Sequence, residues 1–385
     1  MAYSYQIYDS IKDVNLQDWK QIVEENKHNI FMDTRFLLTM ETSMKEVSKF
    51  WYLIFYNQDK IPHSCVSVST FNTDITIFVN NKFKEYISFL RKKFPYFLYG
   101  KILFCGLPIS LGQNNLIFTP EANQEKIIQL LNHFLDRLAI DEKANFIVYK
   151  EFNSLECKQL DILLNLGFFR ANSLPMNHFK PNFMDFNDYY HSLRSNYRKE
   201  IRKSRHKFQQ AGVNIIHVQQ PQKIIELYTP EVHELYEVMV NKSKTKLEIL
   251  PITFFRELVN NFPDNICLTL AYHNNKIIGF MFSLYHEKIF YCLFCGVNCQ
   301  FNAASDLYFN LAYGTLEKAL TFDLKDIEVG QTADVFKARL GCYQKPLYLY
   351  VKGEGFIFKW LVKILFKSLF PIPSPPPAYK VFNNE

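Results

Sequence analysis

The sequence predicts an α/β fold built twice along one chain, and three observations carry that prediction. Leu103-Phe104-Cys105-Gly106 returns 190 residues later as Leu293-Phe294-Cys295-Gly296. Each copy ends an apolar run and is followed by a long helix pattern, another strand, and a helix closing on Leu166-Gly167 or Leu340-Gly341. The chain has 385 residues and 48% hydrophobic content, enough for two packed cores.

In chain order, Leu16, Trp19, Ile22 and Val23 have helical spacing. "WYLIFYNQDKIPHSCVSVSTFN" reads as two strands around a polar turn at 57–60, and "KILFCGLPIS" as a strand stopped by Gly and Pro. Ile127, Leu130, Leu131, Phe134, Leu135 and Leu138 share one face of a long helix. "NFIVYKEF" is a buried strand, and the next helix ends at Gly167. The second half opens on the helix at 194–208 and continues with three strands turning at 273–276 and 286–288. The helix "SDLYFNLAYGTLEKALTF", the strand "DIEVG", the helix "TADVFKARLG" and a last strand "KPLYLYVKG" follow. These elements place domains at 1–185 and 186–353, with a basic helix and Pro-rich tail at 354–385.

The totals exclude several classes. "MAYSYQIYDS" has no basic or apolar signal region, and no apolar run reaches the roughly 18 to 20 residues of a membrane span. Eight scattered Cys without a signal fit a reducing compartment, so a cytoplasmic protein with free thiols is expected. Cys292, Cys295 and Cys299 hint at metal, but strand parity puts Cys292 and Cys295 on opposite faces, so no metal site is expected.

Charge is concentrated in one place. "RSNYRKEIRKSRHKF" holds seven Lys/Arg against one Glu, which equals the +6 of the whole chain. Leu193, Tyr197, Ile201, Ser204 and Phe208 form its apolar stripe, and Arg194, Arg198, Arg202 and Arg205 a guanidinium stripe suited to phosphate. A solvated charged face is the plain alternative, weakened by the scarcity of acidic partners. At 326–341, Thr332 is placed to cap a helix whose first turn carries Asp334 and whose body carries Lys337 and Arg339. Near the end, Lys359, Lys363 and Lys367 stripe an otherwise apolar helix, which suits an anionic membrane surface at 356–370; docking on the protein's own core is the alternative.

These residues carry a resemblance. "YYHSLRSNYRKEIRKSRHKFQQAGVNI", with Arg198, Ile201, Arg202-Lys203 and Ser204, is similar to the helix opening the second half of Fem-type (FemABX) peptidyltransferases and related GNAT-like acyltransferases. Phe336-Lys337 and Leu340-Gly341 resemble the end of the same domain. The resemblance implies two tandem GNAT-like domains, each a mixed sheet flanked by helices, and transfer of an acyl group to an amine. It implies a donor of acyl-CoA or, in the Fem branch, aminoacyl-tRNA with a phosphate-bearing peptidoglycan precursor as acceptor. The acceptor is therefore a small or lipid-linked, envelope-related molecule; tRNA is a partner in the Fem case, and DNA is not expected. The residue matching Arg198 contacts acceptor phosphate, and that matching Lys337 lies in the transfer cleft. Asp334, Glu328 and Tyr343 are the candidate proton carriers beside Lys337. Arg198, Arg202, Gln331 and Arg339 form the candidate substrate-binding set. The usual CoA-pyrophosphate loop is replaced by "NCQFNAASD", leaving the backbone of Ala303, Ala304, Ser305 and Asp306 as candidate phosphate donors. A non-catalytic binding module on the same fold, for nucleic acid or a membrane surface, is the competing class.

Overall fold

The computed structural model describes residues 2–74, 89–93, 99–242, 248–369 and 375–384. The chain divides into two compact units, and neither is one continuous stretch of sequence.

Unit 1 comprises Met1–Pro175, Thr245–Phe254 and Pro346–Pro373. Its strands are β1 (Ser4–Tyr8), β2 (Phe50–Tyr56), β3 (Pro62–Asp74), β4 (Tyr99–Cys105), β5 (Leu116–Phe118), β6 (Phe146–Phe152) and β7 (Phe169–Asn172). The sheet runs β1-β2-β3-β4-β6, then Tyr348–Gly353, then β7, with β5 also paired to β3. Only β4 and β6 are parallel within this set. The helix Gln124–Asp141 makes their crossover, as a parallel pair requires. Asn123 caps that helix, and Ile127, Leu131, Phe134, Leu135 and Leu138 bury its core face; Leu130 packs half-buried at the edge.

Unit 2 comprises Met176–Lys244, Phe255–Lys345 and Ser374–Glu385. Its strands are β8 (Met176–Phe179), β9 (Val213–Val218), β10 (Ile266–His273), β11 (Lys276–His286), β12 (Ile289–Val297), β13 (Asp326–Gly330) and β14 (Tyr343–Lys345), in the order β14-β8-β13-β12-β11-β10-β9. Asn274, Asn275, Glu287 and Lys288 all have positive φ, the signature of two-residue hairpin turns joining β10–β11 and β11–β12. The helix Leu307–Ala319 connects the parallel pair β12–β13. The basic helix runs Ser195–Gln210, and its expected stripe of Tyr197, Ile201, Ser204 and Phe208 is buried.

The units depart from the expected cuts for one reason. Each sheet inserts a strand from the other half of the sequence between its second parallel strand and its own last strand. Tyr348–Gly353 lies between β6 and β7, and β8 lies between β13 and β14. The cut expected at 185 therefore falls at 175, and residues 346–353 belong to the first sheet. Local pattern marks both segments as strands or turns but says nothing about which sheet receives them.

The tail is also corrected. Residues 370–374 lie outside the described residues, but the chain beyond them is no free linker. Leu193 and Phe382 form a β-bridge, Arg194 N donates to Val381 O at 2.9 Å, and Arg194 Nε donates to Phe382 O at 3.0 Å. The Phe382 ring stacks on Phe183 and fills the space a Cβ at Gly341 would need, 2.4 Å away. Phe382→Ala is expected to destabilise unit 2 by about 3 kcal/mol, the usual cost of truncating a packed Phe. Calorimetry checks this; an unchanged Tm would show that the tail rests on unit 2 without supporting it.

Candidate active site

The parallel pair differs between the units where the repeated tetrapeptide lies. In unit 1, β4 and β6 stay paired through Leu103–Ile147, Phe104–Val148 and Cys105–Tyr149. In unit 2, pairing of β12 with β13 stops at Tyr291–Glu328, before Leu293-Phe294-Cys295-Gly296 is reached. Beyond that point β12 pairs with β11, and β13 with β8. The two strands part and leave a wedge. A bulge explains the parting: Ser283 faces Cys292 and Phe282 faces Phe294, so Leu293 is an extra residue in β12. The same bulge resets side-chain parity and turns Cys292 and Cys295 to one face, correcting the expectation of opposite faces. Among the described residues, no group of three metal-capable side chains comes together.

Lys337 lies beside the end of β13, where the two strands part. It lies on the short helix Asp334–Arg339 and is 4% exposed. A Cβ built on Gly330, the last residue of β13, would sit 3.4 Å from Lys337 Nζ and 3.9 Å from Cys292 O. The ammonium therefore lies against the end of β13, on the side where β12 passes Cys292. Burial lowers its pKa, and Cys342, Cys295, Cys292 and Asp334 oppose that shift. Burial pushes Cys292 and Cys342 up to about 12 and Cys295 up to about 11, so the thiols are neutral near pH 7. Asp334 is thus the formal negative charge acting on Lys337. Lys150 of unit 1 makes the contrast. It too is buried, but its Nζ donates to Leu107 O (3.2 Å), Ile109 O (2.5 Å) and Ser110 Oγ (3.3 Å), so its protons are taken up by structure.

Around Lys337, Asn177 does work that the sequence did not reveal. Its Nδ2 donates to Gly330 O at 2.9 Å and to Asp334 Oδ1 at 3.0 Å, and its Oδ1 accepts from Gln344 Nε2 at 3.2 Å. It fixes the end of β13 and the start of the Asp334 helix together. The neighbouring His178 pairs with Asp326 (2.7 Å) and stacks on Tyr343, with ring centroids 5.5 Å apart. Burial, then Asp326 and Glu328, raise the Tyr343 pKa. Glu328 is buried in β13 opposite His178. Both Asn177 and His178 lie on β8, the exchanged strand, so no local signal pointed to them. The helix expected to be capped by Thr332 is instead preceded by Ala333 in the left-handed region, with no side-chain cap.

A cavity of about 690 Å³ opens on the other side of the Asp334–Arg339 helix. The basic helix contributes Glu200, Lys203 and Lys207, the start of the Leu307 helix contributes Asp306 and Phe309, and the short helix contributes Asp334, Phe336 and Arg339. Arg339 pairs with Glu200, and Lys207 with Asp306 at 3.1 Å. Phe309 and Phe336 stack at 4.4 Å as its apolar wall. Neither Arg198 nor Arg202 lines it. Arg198 Nη1 donates to His191 O (3.3 Å) and Leu193 O, fastening the turn before its own helix, and Arg202 is exposed. Arg205 pairs with Glu317 and covers the Phe186 ring. The cations facing the cavity are therefore Lys203 and Lys207, beside the expected arginine row, and Arg339 from the short helix. Gln331 is half-buried beyond the end of β13. Ala303, Ala304 and Ser305 lie in the helix Cys299–Ser305, past Asn302, whose N–H already bonds Asn298 O. Their N–H groups are thus in the helix body rather than open to a phosphate; of the four, Asp306 borders the cavity.

Solved structures share this architecture. The crystal structure of FemX aligns over 95% of this chain and 100% of its own, with 10% identity and a TM-score of 0.54. A tandem GNAT protein from the clavulanic acid biosynthesis pathway aligns over 92% and 99%, with 9% identity and a TM-score of 0.57. L-PGS from Bacillus licheniformis aligns over 93% and 98%, with 9% identity and a TM-score of 0.51. At such identities the likeness shows the fold, which is the tandem GNAT fold. No curated protein matches the chain in sequence. The FemAB-like family, described as peptidoglycan biosynthesis/recognition, matches residues 10–343, and the chain belongs to that family.

Proposed function

We propose that the chain is an acyltransferase working in the wedge of unit 2, moving an acyl group from a phosphate-bearing carrier to the amine of an envelope-related acceptor. The observation that carries this reading is the parting of β12 and β13 beside a buried Lys337, where the repeated counterpart in unit 1 is zipped shut. An extended acyl chain entering the wedge meets the backbone of both strands, and its carbonyl reaches the Lys337 ammonium. The acceptor nitrogen attacks the carbonyl carbon and forms the C–N bond. Lys337 donates to the oxygen as it gains negative charge. The C–S bond of a thioester or the C–O bond of an aminoacyl ester then breaks. The amine gives up one proton, for which Asp334, beside Lys337, is the acceptor in this reading, and the leaving sulfur or oxygen takes one up. Glu328 and Tyr343 act through His178 as positioning groups. The donor's phosphates occupy the cavity of Lys203, Lys207 and Arg339.

Two donors have this chemistry, acyl-CoA and aminoacyl-tRNA. The helix Cys299–Ser305, standing where a CoA-pyrophosphate loop would lie, favours the second. Thermal shift with acetyl-CoA, a long-chain acyl-CoA and a charged tRNA separates them. The true donor at about 100 times its Kd stabilises the protein by about 2.7 kcal/mol. Lys203→Glu, which breaks no ion pair among the described residues, is expected to weaken that effect at least about tenfold in Kd, as reversal of one phosphate contact does. If no donor shifts Tm and none supports transfer, the reading fails. Among the described helices none is long and apolar enough to cross a membrane. Contact with the bilayer in this reading is made by the helix Gly355–Leu369, lying on an anionic surface.

A further inference from the structure

The helix Gly355–Leu369 presents three stripes on unit 1. Phe358 and Val362 face inward, against Ile102, Phe104, Phe146, Val148, Leu349 and Val351. The Phe358 ring meets Phe146 edge-on at 5.2 Å. This packing fixes the rotation of the helix and decides what the other stripes do. Phe356, Trp360 and Ile364, four residues apart, stand out 87%, 56% and 56% exposed. Beside them run Lys359 and Lys363, both exposed, with Lys367 next in the spacing.

The apolar stripe does not end with its helix. Ile140, at the close of the Gln124–Asp141 helix, is 73% exposed, and it lines a 460 Å³ groove together with Phe356. Lys143 borders the same groove from a left-handed turn at φ 54°. Phe356 thus meets Ile140 across the groove, and Trp360 and Ile364 continue the Phe356 stripe along the helix, with Lys143 at the groove and Lys359 and Lys363 beside the stripe. Scattered exposed apolar residues are ordinary; a grouped set with a cationic rim is not. Of the nearby acids, Glu354 pairs with Lys352 at 3.4 Å, while exposed Asp141 trims the positive charge by one.

We propose that this two-element face docks unit 1 onto an anionic bilayer. Phe356, Trp360, Ile364 and Ile140 enter the boundary between headgroups and acyl chains, and Lys143, Lys359 and Lys363 meet lipid phosphates. A helix of 15 residues lies flat with that geometry, and a Trp between an apolar stripe and a lysine row is at home at the interface. The inference rests on reading Gly355–Leu369 as a membrane-surface helix and adds the Ile140–Lys143 edge to it.

Co-sedimentation tests it, using phosphatidylcholine vesicles with and without about one third phosphatidylglycerol, where each basic residue adds about fivefold to partitioning. The full chain should bind the anionic vesicles and not the neutral ones, and release as salt rises. Lys359→Glu with Lys363→Glu should cut binding more than about tenfold. Ile140→Asp, at an exposed site, should cut it about tenfold while Tm holds. Full binding by Ile140→Asp with loss in Trp360→Asp would overturn the two-element face and leave the tail-helix reading standing. Equal or absent binding to both vesicles would overturn both. Dimerisation abolished by Trp360→Asp, without vesicle binding, would make the face a protein contact and overturn the proposal.

Discussion

Lys337→Ala should lower the rate of acyl transfer by about 10²- to 10³-fold, the usual consequence of removing one donor to a developing oxyanion, while leaving the protein as stable as before or more so. The two halves of that expectation have one cause. Lys337 is 4% exposed, and burial lowers its pKa, so its charge is held at a cost in the folded state. It forms no ion pair among the described residues that would offset the cost. A buried charge held at a net penalty does not stabilise the fold, which is what the proposed role in transfer predicts. The pH dependence has a definite sign. Because burial holds the folded pKa below the ordinary lysine value of 10.5, the unfolded chain holds more protons between those two pKa values. The penalty is full below the folded pKa and fades as pH rises toward 10.5. The Tm advantage of Lys337→Met over the wild type should therefore be greatest near neutrality and shrink as the medium becomes alkaline. Single-turnover rates and paired melting curves check both halves. Transfer by Lys337→Ala at the wild-type rate would remove Lys337 from the chemistry; a variant much less stable than wild type would make it a structural residue.

Gly296→Ala should be the most damaging small substitution in unit 2, costing about 3 kcal/mol or more, at the upper end for overpacking. An added Cβ would stand 2.6 Å from Tyr236 N, 2.7 Å from Leu235 C and 2.6 Å from Phe280 Cε1. Backbone atoms cannot rotate aside, so the helix Pro230–Lys242 must move off β12. That contact holds the free end of β12 after it has parted from β13, and moving it changes the wedge itself. Transfer should fall along with Tm. Gly279→Ala supplies the control, because its Cβ would meet chiefly the flexible end of Leu311, at 2.8 Å, which can give way. Equal losses in the two variants would show that the close approach at Gly296 is not what holds β12.

Much of this was legible in the sequence, and the gaps share a physical origin. The helices at 124–141 and 195–210 were readable because their burial has a 3.6-residue period that packing obeys. The repeat Leu-Phe-Cys-Gly marked a strand in each half that the structure pairs in parallel with the strand after the next helix, whereas Lys337 was singled out by the family resemblance. What failed depends on contacts far apart in sequence. The bulge at Leu293 inverted a parity argument that holds for a regular strand. The guanidinium stripe was real as a stripe, yet Arg198 turned back onto Leu193 and His191, and Lys203 and Lys207 took the cavity. Asn177 and His178 were invisible because they enter on a strand exchanged between halves. A short helix capped by the Asn298 side chain took up the backbone that was expected to offer N–H groups to phosphate.

The exchange of strands also sets a schedule for the protein's birth. β6 is buried along its whole length, and its outer edge is covered by Tyr348–Gly353. On the ribosome, roughly 200 further residues must be made before that cover exists, which takes on the order of 10 to 40 s at ordinary elongation rates. Through that interval the nascent first half carries an apolar strand with an open hydrogen-bonding edge, a template for pairing with another nascent chain. The first sheet therefore closes only after Tyr348–Gly353 has been made, long after the rest of its strands.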